Sequence, residues 1–188
     1  QIDNPARGFT FKHDGPLDMR MNPERGVSAA QLLVSIPEPK LALLLQENAD
    51  EFYAAVIAAT PKSPLPRTTK SLADAVKAAL PPRTSPDDAD SSIRRVFQAI
   101  RIAVNEELGA LDSLLRAIPT ALKPGGRVAF LTFHSGEDRR VKKAFQEGER
   151  AGFYSEISAD VIRPSMEEQR ANPRSSPAKL RWAVKTSS

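Results

Sequence analysis

The sequence has no cysteine, only two histidines and one tryptophan in 188 residues. The missing cysteine removes disulfides, thiolate zinc sites and cysteine nucleophiles, and a reducing compartment is compatible with it. His13 and His134 stand far apart and no ligand pair falls at a spacing of four, so no metal is expected. No run approaches the ~18 apolar residues of a membrane span, so no membrane partner is expected. The opening QIDNPARGF lacks a charged segment followed by an apolar one, and no signal peptide is visible. Charge of one sign is scarce as well. The 27 basic and 23 acidic residues leave +4, which admits a polyanionic partner without demanding one. At 40% hydrophobic and 27% charged residues, the composition is that of a globular chain.

Residues 1–26 are rich in Gly, Pro, Asp and Arg and read as an ordered, irregular loop. Ser28 and Gln31 fit a capping box that opens a short helix ending before Pro37. Residues 40–59 read as one helix with Leu41, Leu44, Leu45, Phe52, Val56 and Ile57 on its apolar side. Residues 60–68 form a Pro-rich connector, and Thr69 is the expected cap of a helix over 70–80. Residues 81–92 read as a polar loop. The apolar set from Ile93 to Leu122 gives one long helix or two joined near Gly109. Gly125 and Gly126 are expected to take the positive φ of a helix end and tight turn. A strand follows over 127–133, then a polar helix over 137–150, then strand candidates at 153–164 and 178–186. Two closing strands imply an antiparallel hairpin at the end of an otherwise parallel α/β sheet.

Four segments carry a resemblance: RGFTFKHDGPLDMRMNPERG (7–26), RVFQAIRIAVNEEL (95–108), LKPGGRVAFLTFHSGEDRRVK (122–142) and RPSMEEQRANPRSSPAKLRWA (163–183). In this order and spacing they resemble the RsmH (MraW) family, which methylates N4 of a cytidine in bacterial small-subunit rRNA with S-adenosylmethionine. GPLDMRM and FHSxEDR are the specific motifs. The resemblance implies an α/β fold: the C-terminal part of a Rossmann-like class I methyltransferase sheet with an inserted all-helical substrate-binding subdomain. It assigns 1–26 to an active-site loop after a fourth strand, 27–106 to the helical RNA-binding insertion and 107–188 to the methyltransferase domain. The family's first four strands, with their glycine loop and acidic ribose contact, are not in this sequence. The partners implied are small-subunit rRNA or the small ribosomal subunit and the N-terminal Rossmann half, in the same protein or as a separate chain. A homodimer is compatible. The implied location is the bacterial cytoplasm, or an organelle in a eukaryote. The competing class is a non-catalytic RNA- or ribosome-binding paralogue that has lost the cofactor-binding half.

The resemblance places His134 and Ser135 at the target pocket, where His134 would bond the cytosine edge or accept a proton from the amine. The plainer alternative has Ser135 capping the helix and His134 packed behind the site. Asp18 joins them as a candidate catalytic residue, paired with Arg20 to organise the loop. Gln1 matches a cofactor-contacting position. Arg95, Gln98, Arg101 and Asn105 recur at steps of three and four on one helical face; with Arg20 and Arg174 they are the expected RNA contacts. Three departures bear on those contacts. Gly136 replaces a leucine in HSLED, Ser176 and Pro177 replace Arg and Ser before AKLR, and the helix FYAAVIAAT lacks an arginine the family carries.

Overall fold

The computed structural model describes residues 4–49, 51, 53–59 and 65–187; Gln1 and Phe52 lie outside them. The chain forms two compact units, one through Glu107 and one from Leu108.

The first unit begins with a 3-10 turn, Pro5–Arg7, and a long irregular loop. Its helices are α1 (Ala29–Ser35), α2 (Glu38–Ala49), α3 (Ala54–Ala59), α4 (Thr69–Ala79) and α5 (Pro86–Val104). The capping box at Ser28 and Gln31 forms in full. The helix expected over 40–59 instead breaks into α2 and α3. Glu51, 2% exposed, turns inward at the break. Its Oε1 accepts the Ser92 hydroxyl at 3.0 Å and the Tyr53 N–H at 3.1 Å. Thr68, not Thr69, caps α4. Thr69 is fully buried, and its hydroxyl donates to the His13 carbonyl at 3.0 Å. The expected polar loop over 81–92 is half helix: Ser85 caps α5, Pro86 opens it, and Asp87 and Asp88 in the first turn complement its dipole. The core gathers Leu33, Leu41, Leu45, Val76, Val96 and Ile100 from α1, α2, α4 and α5, with Leu17 and Met19 from the loop.

The helical run of 93–122 is two helices, but they part at Asn105 and Glu106 rather than at Gly109. Glu106 has φ +50°, and α6 (Glu107–Ala121) follows. The second unit then runs β1 (Arg127–Thr132), α7 (Ser135–Arg150), β2 (Tyr154–Ile157), α8 (Met166–Ala171), a 3-10 turn at Pro173–Ser175 and β3 (Lys179–Lys185). Of the two glycines before β1, only Gly125 takes positive φ, +70°. At Gly126 a Cβ would stand 2.8 Å from the Lys123 carbonyl oxygen, so that position needs glycine for space. The three strands order as β1-β3-β2, both pairings antiparallel. The second strand is shorter than expected. After Ile157 the ladder passes to Ser158, whose hydroxyl accepts the Trp182 N–H at 3.3 Å; the chain then leaves the sheet, touching it again only at the Ile162–Leu180 bridge. Phe145 and Val141 of α7 pack on Phe130, Val128 and Tyr154, with edge-to-face ring contacts at 5.9 and 5.5 Å. The other side of β1 is open: Leu131 is 58% and Phe133 49% exposed.

Candidate functional site

In the first unit, the loop GPLDMRM is held from several directions. Gly8 has φ +72°, and a Cβ there would collide with the Pro16 carbonyl oxygen, which fixes glycine in the RGF segment. The Leu17 N–H donates to the Arg67 carbonyl at 3.0 Å, and the Met19 N–H to the Arg7 carbonyl at 3.0 Å. The Arg7 guanidinium donates to the carbonyls of Arg20 and Met21 at 2.8 and 2.9 Å. Met19 sits fully buried at φ +61°, a left-handed backbone that costs about 1–2 kcal/mol in a non-glycine residue. Asn105, just past α5, stabilises it. Its amide nitrogen donates to the Met19 carbonyl at 2.8 Å, and its Oδ1 accepts the Met21 N–H at 2.6 Å. Both ends of the amide are thus engaged by the protein, and Asn105 clamps the loop to the end of α5.

Asp18 and Arg20 form the expected pair as a two-point fork, Nε to Oδ1 at 2.7 Å and Nη2 to Oδ2 at 2.9 Å. The Arg20 N–H adds a third donor to Oδ1 at 3.1 Å. The Arg20 hydrogen bond, against a smaller burial penalty, holds the Asp18 carboxyl below its ordinary value of 3.8. A carboxylate so held is a poor proton acceptor at neutral pH. Arg101 is bound in the same way by Glu107, at 2.9 and 3.1 Å. Gln98 is half-buried and Arg95 exposed on α5.

In the second unit, the candidate residues sit where β1 turns into α7. His134, not Ser135, caps the helix: its Nδ1 accepts the Glu137 N–H at 3.3 Å. The proton of a neutral imidazole then belongs on Nε2, which lies 3.3 Å from Glu137 Oε1, out of line for a hydrogen bond and shielded from solvent. Glu137 reaches back with Oε2 to the Phe133 N–H at 3.0 Å. Burial pushes the Glu137 carboxyl up, but the adjacent His134 imidazole and the Phe133 N–H bond outweigh it and hold it below 4.5. Gly136 lies directly under the imidazole, where a Cβ would stand 3.2 Å from Nδ1. Asp138 is bound by the nearly buried Arg181 of β3 at 2.7 and 3.2 Å, which ties the first turn of α7 to the sheet. Ser135 is exposed beside the cap, and Arg174 is exposed on the 3-10 turn before β3.

The MraW methylase family model matches residues 1–186. The chain belongs to the MraW methylase family. It is 49% identical to "Ribosomal RNA small subunit methyltransferase H 1" of Lachnoclostridium phytofermentans over 98% of this chain and 53% of that protein. It is 49% identical to "Ribosomal RNA small subunit methyltransferase H 2" of Alkaliphilus metalliredigens, over 98% and 55%. With "Ribosomal RNA small subunit methyltransferase H" of a Synechococcus species it shares 46% identity, over 100% and 62%. The chain spans little more than half the length of these curated relatives.

Sequence reasoning missed three members of the site: Arg7, the His134 cap and the Asp138–Arg181 fork. The first and last join residues far apart in the chain. The cap was obscured by Ser135, a commoner capping residue one position on. Among the described residues, no group of three or more His, Asp or Glu could hold a metal ion. No helix among them is long and apolar enough to cross a membrane.

Proposed function

We infer that the gene product is an S-adenosylmethionine-dependent methyltransferase acting on N4 of a cytidine in small-subunit rRNA. The observation that carries this is the family match over residues 1–186, with relatives named as small-subunit rRNA methyltransferases at 49% identity. The motifs GPLDMRM and FHSxEDR are the segments whose polar side chains lock into forks and caps. The family's methyl donor is S-adenosylmethionine, which supplies the methyl group when bound. The carboxylates of the two motifs do not fit it by themselves. A ribose diol and an ammonium call for uncommitted acceptors, yet Asp18, Glu137 and Asp138 are each bound to a protein donor. These three carboxylates are therefore not open to the cofactor.

What these residues contribute is position. The fork on Arg20 leaves its Nη1 edge to donate to an RNA oxygen, and Asp18 holds it there. His134 fixes the angle between β1 and α7, which sets Phe133 and Ser135 at the surface. We assign His134 to positioning: with Nδ1 occupied and Nε2 shielded, it is not placed to take a proton from the amine. Alignment of an amine with an electrophilic methyl is worth many orders of magnitude when the geometry is right. The first unit carries the RNA contacts in this reading, with Arg95, Gln98 and Arg101 on α5. The open edge and apolar face of β1 support a Rossmann-like sheet continued by further strands, since strands of a parallel core are apolar on both faces.

The test is methyl transfer by the gene product from labelled S-adenosylmethionine to unmodified small ribosomal subunits, with the product nucleoside identified by mass spectrometry. N4-methylcytidine is expected. Label on carbon 5 or on ribose, or none, overturns the reading.

A further inference from the structure

A second feature of the first unit is a groove of about 350 Å³ between the loop 9–12 and α5, lined by Phe9, Thr10, Phe11, Lys12, Arg94, Phe97, Gln98 and Arg101. Its floor is aromatic. Phe11 meets Phe97 edge-to-face at 5.4 Å, and Phe9 and Phe11 are only partly buried against the core. Its rim is basic. Arg94, Gln98 and Arg101 follow at steps of four and three along one face of α5, and Lys12 faces them from the loop. Arg101 is neutralised by Glu107 at 2.9 Å. Among the described residues, no acceptor pairs with the side chains of Lys12 or Arg94. Gln98 reaches the Asn48 carbonyl only at 3.5 Å. Arg95, the neighbour that periodicity singles out, does not line the groove.

A cavity lined by phenylalanine side chains and by two uncommitted cations, Lys12 and Arg94, matches one ligand chemistry: flat bases joined by phosphates. The geometry points to a single-stranded RNA subsite, in which bases stack on Phe9 and Phe11 while Lys12 and Arg94 hold the flanking phosphates. This subsite deepens the methyltransferase reading and rests on it for the identity of the RNA. An apolar peptide would use the rings and leave the cations idle. A duplex would use the cations and leave the rings idle.

The test measures binding of a fluorescent single-stranded RNA to the 188-residue chain by anisotropy, across a salt series, with the matching duplex and polyphosphate as competitors. The Lys12→Ala/Arg94→Ala pair should weaken binding about tenfold and flatten the log–log salt dependence by about 1.4, two phosphate contacts at ~0.7 each. Phe9→Leu keeps an apolar side chain against the core. It should weaken single-strand binding about tenfold with the salt dependence unchanged. Unchanged binding in both variants overturns the subsite, as does a Phe9→Leu loss that is equal for duplex or polyphosphate. Methyl transfer by the gene product separates the two readings. Groove-dependent binding without methylation refutes the methyltransferase alone. Methylation indifferent to all three substitutions refutes the groove alone.

Discussion

Replacing His134 by alanine and by asparagine separates a structural from a chemical role, because the two substitutions remove different things. The imidazole does two jobs in the fold: Nδ1 accepts the Glu137 N–H, and the ring covers Gly136. Alanine removes both. Loss of a cap costs about 1 kcal/mol, and loss of a mostly buried ring adds a similar amount, so about 2 kcal/mol is expected. Asparagine supplies a side-chain oxygen as the cap acceptor in place of Nδ1 and gives up only part of the ring contact, for a loss of about 0.5 kcal/mol. Denaturant midpoints read both values. Methyl transfer by the full-length gene product then decides the role. If His134 only positions the corner, His134→Asn keeps turnover within a few-fold of the parent. A proton-transfer role would lower it about a hundredfold or more in both variants. An asparagine variant as stable as the parent but with turnover down by that factor refutes the positioning assignment.

Three further outcomes follow from the same geometry. Arg181→Ala should destabilise the second unit by about 3 kcal/mol because it strands the nearly buried Asp138 carboxylate; Arg181→Met with Asp138→Leu should recover most of the loss, and a single variant within 0.5 kcal/mol (roughly the noise of surface substitutions) refutes the fork's importance. Glu137 has a folded-state pKa below its ordinary 4.5, so its stabilisation is complete above that pH and fades as pH falls through the folded value. The midpoints of the parent and Glu137→Gln should therefore converge on acidification below 4.5, and parallel curves count against the bond to Phe133. Asn105→Ala removes two hydrogen bonds from a loop held at positive φ and should cost about 2 kcal/mol, read by urea denaturation; a neutral result means the loop holds itself.

Much of this architecture is legible in local sequence, because helix starts and turns are decided within a few residues. The capping box at Ser28 and Gln31 is one case. The start of α5 is another that could have been read: Ser85, Pro86, Asp87 and Asp88 form a complete start signal, hidden by proline-rich surroundings. The break between α2 and α3 is not legible, since it depends on Ser92 arriving from α5 to meet Glu51. The same holds at the candidate site. The Asp18–Arg20 fork spans two residues and could be expected. The roles of Arg7, Asn105 and Arg181 could not, because their partners lie 13, 86 and 43 residues away. Periodicity cannot say which arginine of α5 borders the groove, since the position of the loop 9–12 decides that residue 94 lines it and residue 95 does not.

The charged residues of the two diagnostic motifs share a property that bears on mechanism. Asp18 is bound to Arg20, Glu137 to Phe133 and Asp138 to Arg181, so none of the three carboxylates is placed as an exposed acid or base. An enzyme that needed strong general-base catalysis would keep at least one such group open and tuned toward neutral pH. Methyl transfer to an exocyclic amine makes a weaker demand, since the sulfonium methyl is already activated and the reaction waits on alignment. Motifs that spend their charge on fixing backbone are compatible with the proposed reaction. By the same reasoning, substitutions in the forks should act through geometry: asparagine at Asp18, which keeps one acceptor for Arg20, should be far milder than alanine.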